Sequence, residues 1–459
     1  MMMKTVLTVF GATGNLMHIK LIPAFIRLFK SGHLNKDTSI LCVSRRDYDQ
    51  EMYYNHLKES VNSALDLESI KDRLTYVQMD LQNLEDYRNL KLKIDKMHGE
   101  NIQSLFYLAV SPEFFVEIAK GISLSGLVQK NNPQGRIVFE KPFGHSFESA
   151  KEINTQLEEY FSESQIFRID HYLGKDMLQN ILVMRFGNII FENNWSNESI
   201  EKIDILVKEH SGIGNRGSYY DHSGALNDMV QSHLLQMLAL IAMEPPVTLH
   251  SEDIRIKKIE VLRKTKIDSS SAVFGQYNGY LEEPGIPKDS ITETFVHLKA
   301  EVHSPRFKGI PIYLITGKKM DEKIAEIVIH FKEHSLAKTL WPDQKPVHNQ
   351  LVIGVSEYEG VRFQMNFKTP GLDDNLVETS LDYCHSCQKI GNNPEAYQKL
   401  LKDFIDNNPT LFTSWDEIEA SWKIVDPLIV YPKKLIKYSN IDDLRVQIKN
   451  RKGSEHIDL

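Results

Sequence analysis

The chain is poor in cysteine, has no long apolar run and carries no surplus of positive charge. Each shortage excludes a class of protein. Three cysteines, Cys42, Cys384 and Cys387, in 459 residues argue against a disulfide-built extracellular scaffold and fit a reducing cytoplasm. No stretch approaches the ~18 uninterrupted apolar residues of a membrane span. The start, Met1–Phe10, runs directly into a strand-like segment. It lacks the basic region, apolar run and cleavage site of a signal peptide. The formal charge of −8 is not that of a nucleic-acid binder, which usually needs a basic face. A local basic pocket for a phosphorylated substrate stays open. Neither nucleic acid nor membrane is expected as a partner.

What is present describes a folded enzyme-sized chain. Hydrophobic residues make up 41% and charged residues 25%, the balance of a packed globular protein. A length of 459 residues exceeds one ordinary core, so two domains are expected. Cys384-His385-Ser386-Cys387 is a lone Cys-x-x-Cys. Zinc would need further ligands, and a redox motif would normally open a helix. This one follows strand-like Val377–Tyr383. Ordinary packing is therefore expected, and no metal.

The first part of the chain alternates short apolar runs with helical patterns. Strands are predicted at Thr5–Phe10, Ile40–Val43, Leu74–Gln78, Ser104–Leu108, Arg136–Phe139 and Gln165–Ile169. Helices are predicted at Leu16–Phe29, Leu84–Met97, Glu113–Lys120 and Glu148–Phe161. Such alternation reads as a parallel sheet covered on both faces. Later the period changes. Val361, Phe363, Met365 and Phe367 alternate with Arg362, Gln364 and Asn366, the signature of a half-buried strand. Ile203–Val207, Ala325–Phe331 and Leu351–Val355 are also strand-like. A largely antiparallel sheet is expected there, covered by helices at Ala225–Met243 and Pro394–Asp406. The tail Lys433–Leu459 is charged and poorly patterned, and loose packing is expected.

The first strand feeds Gly11-Ala12-Thr13-Gly14-Asn15-Leu16 and then a helix. This layout places a pyrophosphate on free helix N–H groups, with glycine where backbone must approach closely. The full Gly-x-Gly-x-x-Gly is absent, so the loop alone is a weak signal, with a plain strand–helix turn as the alternative. The second strand ends in Val43-Ser44-Arg45-Arg46. NAD enzymes usually place a carboxylate there, whereas a guanidinium would pair with the 2′-phosphate of NADP. Two solvated arginines fit equally well.

Arg168-Ile169-Asp170-His171-Tyr172-Leu173-Gly174-Lys175 ends a strand and opens a helix. His171, Tyr172 and Lys175 can each donate to an anion, and the helix N-terminus adds its dipole. The alternative is a solvated corner. His233 shares a helical face with Met229 and Met237, so on its own it reads as a core histidine. It is also the residue type that takes a proton from an alcohol, given a carboxylate to orient it.

Together these segments closely resemble glucose-6-phosphate dehydrogenases. The resemblance runs through the Gly11–Leu21 loop, Glu140-Lys141-Pro142-Phe143-Gly144, Arg168–Lys175, Gly217–Asp221, Asp228–His233, Thr316–Lys318, Ala325–Val328 and Trp422–Pro427. It implies an α/β plus α+β architecture. An N-terminal Rossmann-like dinucleotide-binding domain would span 1–177. A larger C-terminal domain with a mostly antiparallel sheet would span 178–459, binding substrate and forming oligomers. It implies oxidation of glucose 6-phosphate to 6-phosphogluconolactone with NADP, NAD remaining an alternative. A related sugar phosphate, or a non-catalytic binding paralogue, are the other readings.

By the same resemblance His233 is the general base and Asp170 orients it. His171, Tyr172 and Lys175 hold the substrate phosphate and nearby sugar. Glu209 and Asp228 accept from sugar hydroxyls, and Lys318 and Lys323 close the site. Lys141 sits between substrate and cofactor, beside a cis Pro142. Gly11, Thr13, Gly14, Asn15, Leu16, Arg45, Asp80 and Val110 line the cofactor site. A cytoplasmic homodimer or homotetramer is implied. The chain departs from the family where Asn15 replaces aspartate, His18 lysine, Ser232 asparagine and Ile315 arginine. Gly354 and Ser356 stand where arginine and glutamine are frequent, and His210 where an acid is usual. These departures bear on substrate affinity and sugar choice more than on reaction type.

Overall fold

The computed structural model describes residues 4–62, 65–99, 101–344, 346–372, 374–385, 387 and 395–449. Of the predicted segments, residues 1–3, 394 and 450–459 lie outside the described residues. The chain divides into two compact units. The first comprises Met1–Gly174, His250–Glu252 and Pro394–Glu419, and the second Lys175–Leu249, Asp253–Asn393 and Ala420–Leu459. A single boundary near 177 therefore describes the first unit incompletely, because a late segment returns to it.

The first unit is built on β1 (Lys4–Phe10), β2 (Thr38–Ser44), β3 (Leu74–Gln78), β4 (Ile102–Leu108), β5 (Gly135–Phe139) and β6 (Ile166–Ile169). They lie side by side in the order β6-β5-β4-β1-β2-β3, all parallel. The order reverses between β1 and β4, the place where such sheets open a crevice at their strand ends. Neighbouring residues of each strand enter opposite apolar layers. Leu7 and Val9 join Phe25 and Tyr107 on one face, while Val6 and Phe10 join Phe106 and Phe115 on the other. This is why the strands read as continuous apolar runs. The helices Leu84–His98 and Phe147–Tyr160 are capped by Asn83 and by a Ser146–Ser149 capping box. The helix Gln50–Ser60 was not predicted; it buries only Tyr53, Tyr54 and Leu57, too few apolar positions to set a pattern.

The second unit carries β7 (Ile200–Lys208), β8 (Thr265–Ile267), β9 (Val273–Tyr277), β10 (Phe295–Val302), β11 (Ile312–Gly317), β12 (Ile324–Phe331), β13 (Gln350–Ser356), β14 (Gly360–Lys368) and β15 (Leu376–Cys384). Their order is β15-β14-β13-β12-β7-β11-β10-β9, with β8 against β10. The pairings are antiparallel except β7 with β11.

The late chain corrects three expectations. The helix Ala396–Ile405 covers the first sheet, not the second: Leu400, Leu401 and Phe404 sit in the first unit's core. Beyond it β16 (Phe412–Thr413) pairs antiparallel with β6, and the Phe167 ring lies edge-on to Phe404 and Phe412 at 5.2 and 4.8 Å. An amphipathic pattern shows that one face is apolar but not which sheet will cover it. The described part of the tail is not loose. β17 (Leu435–Tyr438) adds to β9 in parallel, and Ile436, Tyr438, Ile441, Leu444 and Ile448 are core residues of the second unit. Cys384 and Cys387 form a disulfide rather than packing as free thiols. Beside Cys384 the His385 N–H donates to the Glu359 carbonyl at 2.8 Å. Cys42 stays free and buried, its thiol pushed up by that burial to about 12. Among the described residues no helix is long and apolar enough to cross a membrane.

Candidate active site

In the first unit a groove of about 650 Å³ opens at the carboxyl ends of the strands. Gly11, Thr13 and Gly14 form one wall, Ser44 and Arg45 follow β2, Asp80 follows β3, and Ala109 and Val110 follow β4. Backbone shapes it. Gly11 has φ +83°, and a Cβ there would lie 2.2 Å from the Ala109 carbonyl oxygen, so only glycine fits. The Gly11 and Ala12 N–H groups both donate to the Val43 carbonyl at 3.0 Å. The Thr13 and Ser44 hydroxyls meet at 3.1 Å. Behind the loop the chain makes a π-helical turn, Met17–Leu21, before the α-helix Ile22–Lys30. His18 lies buried in that turn, edge-on to His56 at 4.9 Å. Burial first, then the His56 and Arg46 charges, lowers its pKa to about 4, so it brings no positive charge near neutrality.

The second corner of this unit follows β6. Arg168 turns inward: it is 2% exposed and grips both oxygens of Glu163 at 2.8 and 2.9 Å, with Asn154 at 2.6 Å. It is a structural clamp, not an anion donor. Asp170 is also buried, and its carboxylate accepts the Tyr172 N–H at 3.0 Å, which fixes the turn that presents His171 and Tyr172. The rings of those two residues lie 5.0 Å apart. Lys141 follows β5 in a turn with a cis bond to Pro142.

In the second unit Lys175 precedes the helix Asp176–Phe186, whose first N–H groups form an anion-favouring end. His233 lies on the π-helical stretch Leu226–Leu234, which continues as the α-helix Leu235–Ala242. The stretch begins at a break: Gly224 has φ +61°, and a Cβ there would lie 2.4 Å from Glu293 Oε1. That oxygen accepts the Leu226 N–H at 3.0 Å. At the far end Arg185 donates to the Leu240 and Met243 carbonyls at 3.2 and 2.8 Å, and the Trp195 indole N–H donates to Ile241 at 2.9 Å. Burial lowers the Arg185 pKa to about 9. Both ends of the helix are thus pinned, and the extra residue of the π turn resets which side chains share a face. His233 is 1% exposed.

Near it in this unit, Lys318 forms an ion pair with Glu209 and lies 5.1 Å from the Tyr220 ring centre. Tyr220 is buried, and its phenol is pushed well up by that burial, then by the charges of Asp228, Glu293 and Glu209. Glu209, Asp228, Lys318 and Tyr220 therefore share one electrostatic neighbourhood. The Lys318 carbonyl accepts from the Tyr438 hydroxyl at 2.7 Å, so the tail braces this lysine. Lys323 is exposed and paired with Glu357 at 2.8 Å. Glu357 is held below the usual carboxylate range by Lys323 and, less strongly, by Lys175. Two of the departures from the family lie where the chain is tightly packed. Ile315 is a buried core residue of β11, and a Cβ on Gly354 would lie 2.1 Å from the Tyr358 carbonyl oxygen. Neither position can present a charge here.

The family model for the NAD-binding domain of glucose-6-phosphate dehydrogenase matches residues 8–180, and that for its C-terminal domain matches 182–444. The chain belongs to the glucose-6-phosphate dehydrogenase family. It is 39% identical over 446 residues to the glucose-6-phosphate 1-dehydrogenase of Bacillus subtilis, covering 93% of this chain and 91% of that protein. Among solved structures, a glucose-6-phosphate dehydrogenase in complex with glucose 6-phosphate matches with a TM-score of 0.87 and 32% identity over 95% of both chains. The glucose-6-phosphate 1-dehydrogenase of Mycobacterium avium matches with a TM-score of 0.86 and 31% identity, covering 100% of this chain and 99% of that one. Family membership makes the chain an NADP-linked oxidoreductase of the Rossmann-like type, with a sheet-based C-terminal domain.

Within the first unit the structure brings Gly11, Thr13, Gly14, Arg45, Asp80 and Val110 to one groove; its walls do not include Asn15, Leu16 or Lys141. Within the second it gathers Glu209, Asp228 and Lys318, while Lys323 is paired with Glu357. Tyr220 had no role assigned from the sequence, although Gly217–Asp221 carried part of the resemblance. Its position beside a lysine is a tertiary fact that no spacing displays.

Proposed function

We propose that this chain oxidises glucose 6-phosphate to 6-phosphogluconolactone with NADP, the first oxidative step of the pentose phosphate pathway. The observation that carries the reading is the groove at the ends of β1, β2, β3 and β4, with a guanidinium rather than a carboxylate after β2. The groove fits a dinucleotide: it has the volume, a glycine cradle that a Cβ would fill, and Arg45 for the 2′-phosphate. NADP, when bound, supplies the acceptor for a hydride leaving the anomeric carbon of the sugar.

The chain's own residues do the rest. His233 takes the proton from the anomeric hydroxyl at its imidazole, and Asp170 orients the ring and stabilises its cation. His171, Tyr172 and Lys175 hold the phosphate, aided by the helix end after Lys175. Glu209 and Asp228 accept from sugar hydroxyls. Lys318 exchanges part of its bond with Glu209 for the substrate, and Lys323 closes over it. Lys141 lies between sugar and cofactor. We place the protein in the cytoplasm as a homodimer or homotetramer, the arrangement the family resemblance implies. The direct test mixes protein, glucose 6-phosphate and NADP and follows absorbance at the reduced-nicotinamide band. Prompt reduction is expected, and none in the presence of intact folded protein would overturn the reading. Repeating it with NAD measures the preference that Arg45 sets.

A further inference from the structure

Glu140 follows the last residue of β5 and precedes the cis Lys141–Pro142 bond. It does not face solvent freely. The Tyr107 hydroxyl, from β4, donates to Glu140 Oε1, and the Tyr397 hydroxyl, from the helix Ala396–Ile405, donates to the same carboxylate. Both phenols are pushed up by burial and by the Glu140 charge, so both stay protonated donors. Glu140 itself is raised to about 7 by burial, against the pull of Tyr107, Tyr397 and the Lys141 charge. Those three are the titratable and charged groups that face it, from β4, from the returning helix and from its own turn. The other end of the turn is equally tight. Gly144 has φ +76°, and a Cβ there would lie 2.5 Å from the Ala150 nitrogen. Lys141 thus hangs between a gripped carboxylate and a close-packed glycine, with little slack. The residue before Tyr397 is placed to matter as well: a Cβ on Gly174 would lie 3.0 Å from the Ala396 Cβ. One helical turn of the returning segment touches both chemistry-bearing corners of the first unit.

We propose that Glu140, gripped by the hydroxyls of Tyr107 and Tyr397, is a positioning residue for Lys141 in the hydride-transfer reaction, and that its ionised form is the active one. This rests on the role given to Lys141 under the proposed function. Protonating Glu140 removes the negative charge beside Lys141 and weakens the two phenol bonds, which favour the charged acceptor. Removing a phenol takes away a bond that favours the ionised form, so the titration moves up.

The test has two readouts. In the cofactor-free protein, infrared difference spectra across pH should show a carboxyl band titrating near neutrality, absent in Glu140→Gln and displaced upward in Tyr397→Phe. In the loaded enzyme, Tyr397→Phe should move the acid limb of kcat up by about one pH unit, a tenfold loss on the acid side, with KM for glucose 6-phosphate within about twofold. Tyr107→Phe removes the same kind of bond from the other side and decides the matter if Tyr397→Phe does not fold. A wild type with no near-neutral carboxyl, or phenol variants whose acid limb stays in place, would overturn the role of Glu140. A merely structural bond would lower activity at every pH without moving the limb. A wild type that reduces no NADP would overturn the proposed function and the Lys141 role with it, whatever the carboxyl titration shows.

Discussion

In the dinucleotide groove the backbone does the shaping, whereas around His233 the side chains do. The Gly11–Gly14 loop is set by two N–H groups on one carbonyl and by a glycine with no room for a Cβ. The helix of His233 is set by Glu293 at its start, by Arg185 and Trp195 at its end, and by the Lys318–Glu209–Tyr220 group beside it. The difference explains where the chain tolerates departures. Asn15 and His18 differ from the family, and neither is among the residues that line the groove. Around His233 the charged residues stand in mutual contact, so a change in one is felt by the others.

Four experiments sharpen or break this contrast. His233→Asn should cost the most, a fall of about 10²–10⁴ in kcat with substrate binding kept; near-wild-type turnover would remove the base assignment. Gly11→Val attacks the backbone-built side. Forcing a side chain into φ +83° against a carbonyl should weaken NADP binding by roughly tenfold to a hundredfold, from ~1–3 kcal/mol of strain, while glucose 6-phosphate affinity is unchanged; titration of protein fluorescence with each ligand would show it. Arg45→Ala should reduce the NADP-over-NAD ratio of kcat/KM by about tenfold, the worth of one charge-assisted bond. An unchanged ratio would mean that the guanidinium is merely solvated.

The smallest effect concerns pH and compares a buried histidine in each unit. His18 and His297 both have pKa values lowered to about 4, chiefly by burial. Unfolded, each would bind a proton near 6.5. Between 6.5 and 4 the unfolded chain holds more protons, so stability should fall as pH drops through that window and be flat above it. His297 is 2% exposed, and among the described residues no side-chain partner holds its ring nitrogens, so His297→Leu should flatten the slope with little loss at neutral pH. Thermal melts at several pH values would read it, and an unaltered slope would exclude His297 as the cause.

Much of the first unit was legible because its strands are continuous apolar runs between helical patterns, a signal fixed by burial on both faces. Arg45, Asp80 and Val110 follow strands, and strand ends are where a parallel sheet places ligands. Other features had no local signal. Arg168 opens a charged octapeptide yet turns inward, because its partner Glu163 lies on the near side of β6. The π turn at Leu226–Leu234 adds a residue that a period of 3.6 does not register. The lone Cys-x-x-Cys spacing does not say whether its thiols pair, and Tyr438 reaches Lys318 only through tertiary pairing of β17 with β9.

The return of 394–419 to the first unit also sets an order of events during synthesis. Until Phe412 and Thr413 leave the ribosome, β6 is an open edge and the surface around Phe25 and Phe167 lacks Leu400, Leu401 and Phe404. At ordinary elongation rates that interval is roughly ten to fifty seconds. Through it the nascent chain presents a bare strand edge beside apolar side chains, the kind of surface that chaperones hold. The part of the protein made first is therefore among the last to be finished.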